Sequence, residues 1–460
     1  MYAKYRDSGE EWLGQVPEHW KAMPLKSVAT VDNSGCYGEE ADDDSGDALP
    51  VATTAQISAN GRFDAARMPR RTFTFDQRAR YGCRVDDVLV VKSSGSATNI
   101  ISGKAGLIED TTPFFIFSNF LMRLAPRRSH IRGKFLYSLL LSNLTRERVR
   151  RMVSTTTYPN LQVGEYIGAL LPIPAIEEQD LILLFLDQET AKIDALIEEQ
   201  RRLIELLKEK RQAVISHVVT KGLDSSVPLK KTGIDSLGYI PAHWSIAALK
   251  HLASKITDGA HVSPQTENGV YAFVSTVNLT NDGIDFANAL LTSADSYAAL
   301  VRYGCHPLPG DILFSKDGSI GKIVRIAEEI DFVVASSLVI IRTNQAVVRP
   351  AYLELVCKSD VVQKQVEEAS KGAGLPRLSI VNLCRVIVCY PPIQEQEEIL
   401  REVEFQLRSS RALEEAANDT LSLLRERRSA LISAAVTGKI DVRNYKPHPS
   451  AVAEEIFESA

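Results

Sequence analysis

The chain has 460 residues, 45% hydrophobic and 24% charged, with a formal net charge of −5. That length exceeds one ordinary domain, no apolar run approaches the ~18 residues of a membrane span, and MYAKYRDSGEEW lacks the apolar stretch of a signal peptide. The six cysteines form no CxxC pair and fit a reduced, cytoplasmic protein better than a disulfide or zinc framework, while the acidic balance taken alone argues against nucleic acid.

The first recognisable segment, LGQVPEHWKAMPLKSVA at 13–29, leads into a region of very different charge. Between positions 60 and 153 there are 18 Lys/Arg against 7 Asp/Glu. Arg62, Arg67, Arg70, Arg71, Arg78 and Arg80 are interleaved with Phe63, Phe73, Phe75 and Tyr81. Guanidinium forks suit phosphates and guanine edges, so this cluster is a candidate nucleic-acid footprint; the bland alternative is a solvated, salt-bridged face. VDDVLVVKSS reads as a buried strand entering a polar turn, and 135–153 reads as a helix. The loop STTTYPNL, with Thr156, Thr157, Tyr158 and Asn160, closes the region. The acidic run at 39–47 reads as a solvated loop.

After Pro174 the pattern turns helical. No Gly or Pro occurs from 176 to 220, and Glu, Lys, Arg, Leu and Ile dominate. Apolar residues at a 3–4 spacing, including Leu196, Leu207 and Val214, make a narrow seam interrupted by Gln200, and Gly222 is the stop signal. A helix of ~45 residues would span ~65–70 Å.

The chain then repeats itself. LGYIPAHWSIAALKHLA at 237–253 restates 13–29, and Tyr303-Gly304-Cys305 restates Tyr81-Gly82-Cys83. Lys316 falls in register with Lys92. YPPIQEQ answers PIPAIEEQ, and RERRSALISAAVT answers KEKRQAVISHVVT. A second long helix is expected over 393–437, with Leu413, Leu424 and Leu431 in its seam. Residues 30–80 and 255–302 share almost nothing, which suggests one mechanical frame holding two different readers. The second insert has 13 Lys/Arg against 14 Asp/Glu. Its candidate contacts lie in polar turns: Asp258 and His261 in ITDGAHVSP; Lys316, Gly318 and Ser319 in GDILFSKDGSIGK; Lys371 and Arg377 in SKGAGLPRL. Such turns present N–H groups and ammonium to an anion. The run 332–342 reads as one buried strand and 352–368 as one helix.

Neither long helix can bury its own seam, so each is expected to pair antiparallel with the other, in a pseudo-two-fold molecule with a globule at each end. The expected architecture is α+β: two globular inserts separated by two long antiparallel coiled-coil helices within an internal tandem repeat. Segment boundaries are expected at 1–20, 21–175, 176–222, 223–245, 246–391, 392–440 and 441–460. No P-loop, G-x-S-x-G, H-E-x-x-H, kinase or NPPY/DPPY pattern occurs, so catalytic and metal-binding residues are expected to be absent. His19 and His243, each beside a tryptophan, read as packing residues.

These features resemble the specificity (S) subunit of type I restriction-modification enzymes. The resemblance rests on the WLGQVPEHW and SLGYIPAHW openings, on ITDGAH followed by GDILFSKDGSIGK, and on LPRL and PPIQEQ before a long helix. It spans about residues 5–441 and is fuller in the second half. The first insert lacks a DGAH counterpart and has SSGSATNIISGK, with Ser94 and Asn99, where SKDGSIGK would stand. The resemblance implies two target recognition domains, each reading half of a split asymmetric site in double-stranded DNA. It further implies helices that space the half-sites and dock two methyltransferase subunits, with restriction subunits joining for cleavage. No cofactor is expected on this chain; adenosylmethionine, ATP and Mg would belong to the partners. A duplicated coiled-coil scaffold that binds only proteins is the competing reading, and an uncharacterised enzyme a third.

Overall fold

The computed structural model describes residues 1–460 except 41–46, 59–60, 62, 67, 94, 97–98, 152, 155–159, 281–282, 371–375 and 447–460. It contains two compact units, one of residues 1–200 with 419–460 and the other of residues 201–418. Each unit holds one insert, the half of a long helix that leaves it and the last half of the other long helix.

In the first unit the insert is built on a four-stranded antiparallel sheet in the order Ala105–Leu107, Val88–Val91, Leu121–Pro126, Ala29–Asp32. Val88–Val91 (VLVV) is buried on both faces, which is why it reads as a continuous apolar run. A second sheet runs Ile116–Phe117, Leu49–Ala52, Arg70–Thr72, Glu39–Glu40, its first pair parallel. The chain enters and leaves the insert on adjacent antiparallel strands, Lys21–Pro24 and Leu170–Ile173.

The second unit repeats this plan. Ile323–Arg325, Ile312–Ser315, Leu338–Thr343 and Ala253–Asp258 form the antiparallel sheet in the same order. Tyr271–Val274 pairs parallel with Phe332–Val334 in the second sheet, and Ser245–Ala248 with Ile387–Tyr390 closes the insert. Segments without shared sequence therefore share a fold. Burial dictates only which positions must be apolar, and many side chains satisfy it.

Three elements differ from the sequence expectation. The run 332–342 is two strands in two sheets, because a turn at 335–337 carrying Ser336 and Ser337 redirects the chain between them. The helix expected over 352–368 is Pro350–Lys358 and Asp360–Ser370, broken at Ser359, which is extended (φ −72°, ψ 154°) and donates its hydroxyl to Val356 O (2.6 Å). The helix expected over 135–153 is likewise Gly133–Leu141 and Asn143–Arg151, broken at Ser142. A serine that bonds its own backbone competes with helix propagation, and helical periodicity resumes too quickly for the break to show in sequence.

The long helices span Ile176–Lys221 and Ile393–Val436. Gly222 and Gly438, at φ +74° and +76°, supply the left-handed residue that ends each. In the first unit Ile182 and Leu186 share a core with Ile432, Ala435 and Val436, and Arg428 donates to Asp194 (2.8 Å). In the second, Ile215, Val218 and Val219 share a core with Val403 and Leu407, and Arg211 pairs with Glu414. Within each unit the helix stretches thus run antiparallel. The buried or half-buried seam positions are 193, 197, 200, 204, 207, 211, 214 and 218 in one helix and 403, 407, 410, 414, 417, 421, 424, 428 and 432 in the other, a sustained heptad spacing. Leu207 is buried, while Val214, Leu424 and Leu431 are half-buried. Leu196 and Leu413 are corrected: at 44% and 54% exposure they lie off the seam. Adjacent apolar residues at 196 and 197 offer two phases, and the fold buries Ile197, which is 7% exposed.

The repeated motifs at the helix starts are locks. Gln179 and Gln396 are wholly buried. Gln396 Oε1 accepts from Arg349 N–H (2.8 Å), and its Nε2 donates to Val347 O (3.0 Å) and Pro391 O (2.9 Å). Gln179 does the same with Arg132, His130 and Pro174. His243 Nε2 lies 2.7 Å from Glu395 Oε2 and Trp244 Nε1 donates to Glu395 Oε1 (2.9 Å). In the first unit His19 meets Glu178 (2.9 Å), and Tyr2 takes the second oxygen (2.7 Å). Trp20 Nε1 then has no hydrogen-bond partner among the described residues. The tryptophans pack in the core as expected, whereas His19 and His243 are nearly half exposed and hold a glutamate at the helix start.

Candidate nucleic-acid interface

In the second insert, several sequence candidates meet at one end of the main sheet. Lys316 follows the buried strand Ile312–Ser315 and is only 4% exposed. Its Nζ donates to Asp258 Oδ2 (3.1 Å), which also contacts His261 Nε2 (2.5 Å). Burial would raise the Asp258 carboxyl, but the bonds from His261 and Lys316 outweigh it and hold the group below its usual range. The Lys316 backbone is pinned on both sides: its N–H donates to Ser337 O (2.9 Å), and its C=O accepts from Leu378 N–H (2.9 Å). Arg377 is exposed and pairs with Asp317 (2.9 Å) across an antiparallel bridge. Gly318 and Ser319 are exposed at the turn between, while Lys371 lies outside the described residues.

The first insert has the same backbone clamp with different chemistry. Lys92 N–H donates to Phe120 O (2.9 Å), and Lys92 C=O accepts from Leu161 N–H (2.8 Å). Asn160, exposed, bridges Ser93 where Arg377 bridges Asp317. The register pairs Arg123 with Asp32 here and Ile340 with Thr257 there, so the counterpart of Asp258 is the exposed, neutral Asn33. Among the described residues no acceptor faces Lys92 Nζ, and burial lowers its ammonium below the ordinary lysine range. Asn99 lies in the short strand Asn99–Ile100; Ser94, Thr156, Thr157 and Tyr158 lie outside the described residues.

The arginine-rich stretch separates into several roles. Arg70 is exposed at the start of Arg70–Thr72 and donates to Ala48 O. Arg71 stacks on Tyr37 (4.7 Å), donates to its hydroxyl (3.3 Å) and pairs with Glu40. Arg78 caps backbone, donating to Phe73 O (3.0 Å) and Asp47 O (3.1 Å). Arg80 is exposed over the Tyr81 ring (5.3 Å). These four lie on or beside the second sheet and the short helix Phe75–Tyr81, not in the clamped turn with Lys92. Arg62 and Arg67 lie outside the described residues. Others in the stretch hold the fold: Arg123 binds Asp32, and Arg132 forks onto Asp180 (2.9 Å). Charge counting registers these cations together, because an ion pair's partner can sit ninety residues away.

The sequence reading missed two turns at this end, the 3₁₀ segments Thr54–Gln56 and Thr276–Asn278. Each has a reciprocal capping box, Thr53 with Gln56 and Ser275 with Asn278. The signal was the T-x-x-Q and S-x-x-N spacing. Among the described residues no helix is long and apolar enough to cross a membrane.

The family model described as "Type I restriction modification DNA specificity domain" matches residues 17–206 and 241–421. The chain is 24% identical over 452 residues to the type I restriction enzyme EcoBI specificity subunit of Escherichia coli, covering 96% of this chain and 91% of that protein. It is 22% identical over 458 residues to the EcoKI specificity subunit of Escherichia coli strain K12, covering 96% and 94%. A chain solved in work on "complex assembly and conformational transition of the type I R-M system" aligns with a TM-score of 0.57 at 16% identity, covering 92% of this chain and 99% of that one. With both repeats matched over most of their length, the chain belongs to the family of type I restriction-modification DNA specificity subunits.

Proposed function

We propose that each insert is a target recognition domain, spanning about 21–175 and 246–391, that reads one half of a bipartite, asymmetric site in double-stranded DNA. The single observation that carries this is one sheet frame built twice with unlike chemistry at equivalent positions: Lys92 with Asn33 and Asn160 in one copy, Lys316 with Asp258 and Arg377 in the other. A duplicated frame suits one mode of docking, and divergent turns suit two different base sequences. The long helices space the half-sites and dock two methyltransferase subunits, which restriction subunits join. This chain contributes no catalytic group; adenosylmethionine, ATP and Mg serve the partners.

Exchanging residues 21–175 for the insert of another specificity subunit, then sequencing methylated host DNA, tests the reading. One half-site should change while the other half and the gap persist. Retention of the complete original motif would overturn it. A scaffold that binds only proteins would leave no DNA footprint even with methyltransferase subunits present.

A further inference from the structure

Val277 is 84% exposed, yet the turn that carries it is held by several hydrogen bonds. Ser275 and Asn278 cap the turn reciprocally, with Ser275 N–H donating to the buried Asn278 Oδ1 (3.0 Å). Thr276 N–H donates to Ser337 Oγ (3.2 Å) and its hydroxyl to Ser337 O (3.2 Å). Ser337 O is also the acceptor for Lys316 N–H, so one residue ties this turn to the lysine turn. A methyl group added at Gly318 would lie 3.8 Å from Thr276 Cγ2. Lys322 Nζ donates to Leu279 O (2.8 Å) just beyond. The result is a braced turn with a branched apolar side chain projecting from it.

The first insert has a turn with the same reciprocal cap. Thr53 N–H donates to the buried Gln56 Oε1 (2.8 Å), and Ala55 N–H donates to Thr53 Oγ1 (3.3 Å). The residue in the position of Val277 is Ala55, again exposed. Surface turns ordinarily carry polar residues, and neither methyl-bearing side chain contributes to a core. Both capping boxes need polar residues at their first and last positions, and of the two positions between, Thr276 is bonded to Ser337 and Val277 is left to face outward. An apolar side chain on a preorganised, exposed turn matches one feature of duplex DNA, the C5-methyl group of thymine in the major groove. Phosphate contacts can position such a turn, but only a base-edge contact carries sequence.

We propose that Val277 is a specificity-determining residue that packs on a thymine methyl in the half-site read by the second insert. Ala55 occupies the same place in the first insert. The inference rests on the reading of the inserts as DNA readers and adds the base chemistry that one turn recognises.

The test uses the complex of the full chain with its methyltransferase subunits and a duplex carrying its methylation motif. Each thymine of the second half-site is replaced in turn by deoxyuridine, which removes only the methyl. At one position affinity should fall about fourfold, the worth of one buried methyl group. Val277→Ala, with an unchanged melting temperature, should bind the thymine and uracil duplexes alike at that position, while first half-site substitutions act as in the wild type. A wild-type complex indifferent to every substitution, or a Val277→Ala complex that keeps the discrimination, overturns the inference. Specific binding of the unmodified duplex in the same assay shows DNA recognition to be intact, so such a failure would fall on Val277 alone. Loss of motif-specific binding by the wild-type complex would overturn both.

Discussion

Asp258 Oδ2 receives Lys316 Nζ at 3.1 Å and His261 Nε2 at 2.5 Å, so the most buried cation at the end of the second insert is neutralised from within. In the first insert the register puts Asn33 where Asp258 would stand. Two lysines held by the same pair of backbone bonds therefore differ in their partners: Lys316 meets a carboxylate, and among the described residues none meets Lys92.

Asp258→Asn leaves Lys316 nearly buried without a counter-charge and should destabilise the second insert by about 2 kcal/mol. Because the Asp258 carboxyl is held below its ordinary value, its contribution is present above the unfolded-state pKa of about 3.9 and is lost as pH falls through the lower folded value. Thermal melts of wild type and variant should differ at pH 7 and converge in acid. A gap that widens below pH 4 would contradict the assignment.

Lys92→Gln should weaken DNA binding by the assembled complex and reduce the slope of log affinity against log salt by about one, the signature of one lost phosphate contact. Lys316→Gln should leave that slope unchanged and lower the melting temperature, since its charge is spent on Asp258. Equal changes in slope for both variants would remove the distinction between them.

The heptad seam makes a sharp local forecast. Ile197→Ala opens a cavity in the helix pair and should cost about 2–4 kcal/mol, whereas Leu196→Ala, at a position 44% exposed, should change stability by no more than about 0.5 kcal/mol. Chemical denaturation of the two single variants decides between the phases; the reverse ranking would restore Leu196 to the seam.

Gln396→Leu keeps the volume of the lock but strips partners from Arg349 N–H, Val347 O and Pro391 O. Leaving such groups buried and unpaired should cost about 2–3 kcal/mol. Hydrogen exchange should quicken first at the start of the helix Pro350–Lys358. Uniform quickening through the whole unit would mean that the lock is not local.

Much of the fold was legible in the residues. The absence of Gly and Pro over 176–220, with Gly222 and Gly438 as stops, located both long helices to within a residue or two. The repeated HW and EEQ/QEQ motifs proved to be partners in one lock, though their spacing gave no hint that they touch. The candidate interface was less readable. Asp258, His261 and Lys316 all lie in polar stretches at or just past the end of a strand, and such a stretch looks the same whether its lysine faces solvent or a carboxylate 58 residues earlier. Val277 carried no charge to draw notice.

Local chemistry thus determined what can be decided within a few residues of chain: helix-forming runs, their stops, buried strands and the duplication itself. Only the tertiary structure decided what depends on long-range neighbours. It chose Ile197 over Leu196, split 332–342 between two sheets, and gave Lys316 its carboxylate. Packing and ion pairing are settled by atoms distant in sequence, and a pattern along one chain does not record which of them arrive.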